Sequence, residues 1–374
     1  MRHGTRTQME QHTEAPMIDR RTFGKAMALG AGAAAVSLTG PQAAPVAAAP
    51  RSGASTSGGT SASALPGIAP GTHTTFDRMR HVTAGLLNVG YAEVGPAHGP
   101  VVICLHGWPY DIHSFVDVAP LLASRGYRVI VPYLRGHGST RFRSATTFRN
   151  AQQSAVALDI IALMDALGIH RAVLAGFDWG SRTADIIAAL WPERVKALVS
   201  VSGYLITNVE AQQEPLPARA EHTWWYQYYF STERGRRAME DRDKRRELCR
   251  LVWETVSPTW DFDDATFART ATAFENPDYA DIVIHNYRWR LGLAEGERRY
   301  DRYEKRLAGR PVITVPTITL DPERDPFTAP GNGASYRDRF TGAYEHRTLT
   351  GIGHNLPQEA PTAFAQAVVD VDHC

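Results

Sequence analysis

Apolar runs of five to nine residues recur along this chain, separated by longer stretches in which apolar positions return every three to four residues. The runs at 86–94, 101–105, 128–132, 172–176, 197–202, 314–320 and 346–350 are expected to be strands. Those at 101–105 and 128–132 are continuous rather than alternating, as strands covered on both faces require. Helical period over 154–167, 181–190 and 361–371 supplies that cover. The pattern therefore predicts an α/β protein, a mostly parallel sheet wrapped by helices.

Between residues 205 and 306 the alternation stops and the composition turns aromatic and charged, which predicts an insertion of helices lying over the sheet as a cap. Asn276 with Pro277 behind it marks a helix start, and Tyr279, Val283 and Tyr287 then share one face at four-residue spacing. The charge-dense stretch at 233–250 mixes both signs and reads as a solvated helix face.

Residues 1–49 read as a twin-arginine-type export leader. Arg20-Arg21-Thr22-Phe23-Gly24-Lys25 precede a weakly apolar run at 26–38, and Ala47-Ala48-Ala49 supply a small-residue cleavage region. The run is too short and too rich in Ala and Gly to span a membrane, so the expectation is a periplasmic or secreted protein with no membrane span when mature. A flexible Ser/Gly/Pro-rich tether is expected at 50–72, then core at 73–204, cap at 205–306 and core again at 307–374.

A formal net charge of +1 gives no field to concentrate nucleic acid or anionic lipid, so the partner expected is a small neutral organic substrate. Cys104, Cys249 and Cys374 are odd in number and scattered, which argues against a disulfide framework or a metal knuckle. No cofactor or metal is called for.

Chemistry concentrates at three places. Residues 171–181 read as an apolar strand, the turn Gly176-Phe177-Asp178-Trp179-Gly180, and a helix start. Such a turn lifts its central side chain above a sheet and needs small neighbours, which makes Asp178 a nucleophile presented to a pocket. Upstream, the strand ending at Leu105 runs into His106-Gly107-Trp108-Pro109, beside the same pocket. There the backbone N–H groups of Trp108 and Trp179 are candidates for an oxyanion hole, and His106 is expected to shape the turn. Downstream, Gly353-His354-Asn355 follows a strand and makes His354 the general base. Asp321 and Asp325 compete to orient it; Asp325 lies far enough into its loop to turn back toward His354.

These stretches, in this order and across a helical insertion, resemble the epoxide hydrolases and their dehalogenase relatives in the α/β-hydrolase superfamily, over residues 73–374. The resemblance implies the α/β-hydrolase fold with a cap, a covalent ester on Asp178, and opening of an epoxide to a diol. It also places the orienting acid at Asp325. In that family two cap tyrosines hold the epoxide oxygen, and Tyr287 in Asn286-Tyr287-Arg288 resembles the second. At the first, an ungapped match of Trp224-Trp225-Tyr226-Gln227-Tyr228 gives Trp225 with Tyr226 beside it. An indole N–H there is what some dehalogenases use to hold halide. Release of halide from a haloalkane or haloacid is thus the alternative reaction, and a catalytically silent fold that binds a small ligand is a third reading.

Overall fold

The computed structural model describes residues 64–327 and 332–374. The leader expected at 1–49 and the tether up to residue 63 lie outside the described residues. From residue 64 the chain is already docked, earlier than the expected end of the tether. The buried Leu65 donates its N–H to Gln366 Oε1 at 2.7 Å, and the N–H groups of Gly71 and His73 donate to the Asp117 carboxylate.

Nine strands form one sheet among the described residues: β1 Met79–Ala84, β2 Leu87–Val94, β3 Val101–Leu105, β4 Arg128–Pro132, β5 Arg141–Phe142, β6 Ala172–Gly176, β7 Val195–Val201, β8 Thr317–Pro322 and β9 Tyr344–Leu349. Their order is β1-β2-β4-β3-β6-β7-β8-β9, with β5 paired to β2. From β4 to β9 every neighbour is parallel, and β2 alone joins antiparallel partners at the other end. Strand β1 escapes the apolar pattern because this edge strand is largely solvent-exposed and has polar side chains.

The helices are α1 Val118–Ser124, α2 Gln153–Ala166, α3 Trp179–Leu190, α4 Ala218–Thr223, α5 Trp225–Ser231, α6 Glu233–Glu240, α7 Arg242–Val256, α8 Asp264–Ala271, α9 Tyr279–Arg290, α10 Asp301–Ala308, α11 Leu356–Glu359 and α12 Pro361–Asp372. Helices α1 and α12 pack together on the sheet, as do α2 and α3. Every residue of β6 is buried, as expected for a strand covered on both faces by α3 and α12. None of the described helices is long and apolar enough to cross a membrane.

Seven helices, α4 to α10, and no named strand lie between β7 and β8 among the described residues. Helix α9 begins later than the sequence suggests. Its N-cap is Asp278, while Asn276 ends the preceding turn, accepts the Asp278 N–H and donates to the carbonyls of Gly138 and Thr140. Asn276 thus ties α9 to the loop after β4, and the side-chain bonds made there outcompete a capping role. Tyr279, Val283 and Tyr287 are buried, but so are Ile282, Ile284, His285, Asn286 and Trp289, so the helix is enclosed on more than one face.

Candidate active site

Between β6 and α3, Asp178 takes φ 53° and ψ −121°, a conformation that costs a non-glycine residue about 1–3 kcal/mol. The turn closes only around glycine. A Cβ on Gly180 would lie 1.9 Å from the Leu105 carbonyl oxygen, and one on Gly107 would lie 2.5 Å from Asp178 Cβ. Ser181, in the first turn of α3, is structural. Its Oγ donates to the Gly176 carbonyl at 2.6 Å and accepts the Val201 N–H at 2.9 Å.

Because β3 and β6 pair with Leu105 beside Gly176, the 106–109 loop leaves the sheet next to this elbow. The Trp108 N–H donates to Asp178 Oδ1 at 2.7 Å. Trp179 is the first residue of α3, where a backbone N–H has no intrahelical acceptor. His106 braces the loop, with Nε2 accepting the Leu134 N–H at 3.1 Å and Nδ1 lying 2.9 Å from the Gly107 carbonyl. Burial lowers its pKa and keeps it neutral.

His354 Nδ1 lies 2.7 Å from Asp325 Oδ2, and Nε2 lies 3.7 Å from Asp178 Oδ2. The second contact is an ion pair, too long for a hydrogen bond. Asp321 is engaged elsewhere: its Oδ1 accepts the Tyr336 hydroxyl at 2.8 Å, and its Oδ2 is 3.8 Å from His346. The structure therefore brings Asp325, and not Asp321, to the histidine. Burial opposes a charge on His354, but Asp325 and Asp178 outweigh it and raise the imidazole to about 10. Burial also opposes ionisation of Asp178; His354, Arg182 and the Trp108 N–H outweigh it and hold the carboxyl below its ordinary value.

Tyr226 on α5 and Tyr287 on α9 complete the enclosure. Their rings stand 5.4 Å apart at 83°, each packs on Trp108, and both line a cavity of about 680 Å³ with Asp178 and His354. Burial, reinforced by the charge of Asp178, raises both hydroxyl pKa values, so both are donors at neutral pH. Trp225 does not line this cavity and packs on Tyr226 and Tyr229 instead. Adjacent helical residues point about 100° apart, so α5 presents one of the two, and it presents Tyr226.

Sequence reasoning missed the support behind His354. The Glu359 carboxylate accepts the N–H groups of Gly353 at 2.8 Å and Asn355 at 3.1 Å, and the Ser257 hydroxyl at 2.7 Å. The His354 N–H donates to the Val256 carbonyl at the end of α7, and the Trp253 indole on the same helix donates to the Pro109 carbonyl. One helix end thereby fixes the loop of the base and the loop of Trp108. Ser257 and Glu359 are 102 residues apart, and the only local hint is a glutamate shortly after His354. Glu359→Gln should replace one of the two acceptor oxygens by an N–H donor, leave one of the two buried N–H groups unpaired, and lower the melting temperature by about 2–6 °C. A calorimetric scan with no shift would show that the clamp adds nothing to stability.

A family model for the alpha/beta hydrolase fold matches residues 100–360. A crystal structure of a candidate epoxide hydrolase from Klebsiella pneumoniae subsp. pneumoniae is 59% identical, with a TM-score of 0.78, over 80% of this chain and 98% of that one. Epoxide hydrolase A of Mycobacterium tuberculosis is 26% identical over 304 residues, 74% of this chain and 92% of that protein. Epoxide hydrolase 3 of Siraitia grosvenorii is 35% identical over 127 residues, a match spanning 34% of this chain and 40% of the relative's length. The chain belongs to the α/β-hydrolase fold family, in its epoxide-hydrolase-like branch.

Proposed function

We propose that this chain opens an epoxide to a vicinal diol through an ester on Asp178. The observation that carries the reading is the pair of buried tyrosine hydroxyls, Tyr226 and Tyr287, in one cavity with a carboxylate backed by His354 and Asp325. Asp178 Oδ1 is held by the Trp108 N–H, which leaves Oδ2 to attack an oxirane carbon. The carbon–oxygen bond breaks, and the alkoxide takes a proton from a tyrosine hydroxyl.

Esterification removes the charge of Asp178 and with it part of what raises His354. The imidazole can then give up its proton to restore the tyrosine. Neutral His354, aligned by Asp325, next takes a proton from water as the water attacks Cγ of the ester, and Oδ1 becomes the oxyanion. Collapse of the tetrahedral adduct expels the diol oxygen, which takes the remaining proton of the added water, so the diol leaves, Asp178 is ionised again and His354 stays protonated. With the leader read over residues 1–49, the proposal puts this hydrolase outside the cytoplasm.

Incubation with a panel of epoxides, followed by product analysis, tests the reading through diol formation. Tyr287→Phe keeps the ring and removes one of two donors, so ester formation in a rapid-quench assay should slow about 10- to 100-fold. Thermal stability should change little. Unchanged ester formation in both Tyr287→Phe and Tyr226→Phe enzymes would mean that another group holds the oxygen. Halide release is the second reading, favoured by the buried Trp179 indole N–H without a partner among the described residues. Its other expected donor, Trp225, lies off the cavity, which sets that reading behind epoxide opening.

A further inference from the structure

Two polar side chains in the cavity wall take no part in the steps above. Gln227 follows Tyr226 on α5, and Thr207 belongs to the segment that leads from β7 into the cap. They are 5% and 7% exposed, and both line the cavity with Asp178. Among the described residues, neither the Gln227 amide nor the Thr207 hydroxyl has a hydrogen-bond partner. Thr207 is held through its backbone: its N–H donates to Gln153 Oε1 at 2.9 Å, and its carbonyl accepts from Gln153 Nε2 at 2.8 Å. Other polar side chains of the wall are engaged. Asn208 Oδ1 accepts the Glu210 N–H, the Tyr204 hydroxyl donates to the Pro311 carbonyl, and that of Tyr336 donates to Asp321.

A buried amide and hydroxyl that the protein does not pair must be met by whatever fills the cavity. An apolar substrate would displace solvent from both and leave them unpaired. A substrate hydroxyl can donate to the Gln227 amide oxygen and accept from its N–H or from the Thr207 hydroxyl, because each of these groups offers both roles. Carboxylates and guanidinium groups line the cavity three each, so its wall sets up no strong field of one sign to select an ion.

From this arrangement we infer that the substrate is an epoxide carrying an uncharged hydroxyl a few bonds from the oxirane, read by Gln227 and Thr207. The inference rests on the proposed epoxide opening. Since Gln227 directly follows Tyr226, recognition of the hydroxyl and protonation of the opening oxirane share one short helix.

The test uses the full chain and a series of unbranched 1,2-epoxides of increasing length, each beside the analogue whose terminal methyl is replaced by a hydroxyl. For at least one length, kcat/KM for the hydroxylated epoxide should exceed that for its methyl partner by about tenfold or more, because the methyl leaves buried polar groups unpaired. Gln227→Leu and Thr207→Val keep the approximate shape and remove the polar atoms, and each should bring that ratio down to about threefold or less. Neither side chain is hydrogen-bonded to the protein, so both variants should melt no lower than the wild type, unlike variants of a structural hydrogen bond. The wild-type ratio is read without either variant. Diol formation in which the methyl epoxide is preferred at every length would overturn the hydroxyl subsite and leave epoxide opening standing. A preference that survives in both variants would overturn its assignment to these two residues. No diol from any member of the series would overturn both the subsite and the proposed reaction.

Discussion

Replacing His354 by alanine should leave substrate attached to Asp178. Attack on the oxirane needs the ionised carboxylate, the Trp108 N–H on Oδ1 and the tyrosine hydroxyls, none of which is removed. Hydrolysis of the ester needs a group that takes a proton from water, and His354 Nε2 is the imidazole nitrogen that faces Asp178. Steady-state turnover should fall by about 10³- to 10⁴-fold or more, as loss of a general base typically does. Intact mass spectrometry should show the protein heavier by one epoxide, and digestion should place the added mass on the peptide containing Asp178. The variant also loses the positive charge that holds Asp178 ionised, so labelling should need a higher pH than wild-type ester formation does. A variant carrying no adduct at any pH, while the wild type turns the same epoxide over, would rule out the ester.

The two ends of the proposed catalytic apparatus were legible in the sequence because each is marked by glycines after a strand. Asp178 stands between glycines in a turn at the end of an apolar run, and His354 follows Gly351 and Gly353 just past a more polar strand, so strand, turn and chemistry are written in short stretches. The parallel sheet was legible because its central strands are continuous apolar runs; β1 was not, because an exposed edge needs no such run. Choosing between Asp321 and Asp325 needed only a distance along a loop. Choosing between Trp225 and Tyr226 needed the rotation of α5, which a string of adjacent aromatic residues does not encode. The start of α9 misled because Asn276 has a capping residue's chemistry but spends its side chain on Gly138 and Thr140. Least legible was a support whose role exists only in three dimensions, the Glu359 carboxylate against Ser257.

Asp325→Asn should be nearly as damaging as loss of the histidine, by a different route. Asp325 Oδ2 accepts from His354 Nδ1 at 2.7 Å, which fixes the imidazole with its Nε2 toward the ester. An asparagine of the same shape can offer its amide N–H there instead, and then favours the tautomer with Nδ1 bare and Nε2 protonated, which cannot take a proton from water. Ester hydrolysis should fall about 10³- to 10⁴-fold, while ester formation slows much less, so a burst of bound substrate should precede a very slow steady state. The acid-base balance should move as well. Asp325 is the foremost group raising His354 to about 10 against its burial, and without that charge the imidazole should titrate at lower pH. A raised folded-state pKa adds stability that is complete below the unfolded value near 6.5 and is lost as pH rises through about 10. The wild type should therefore lose this increment between those limits, and the variant should lack most of it already at neutral pH. Asp321→Asn is the matched control, because that carboxylate serves Tyr336 and His346 and never touches His354. Its effect on ester hydrolysis should stay within about tenfold. Single-turnover measurements in which Asp321→Asn traps the ester and Asp325→Asn does not would assign the orienting acid to Asp321.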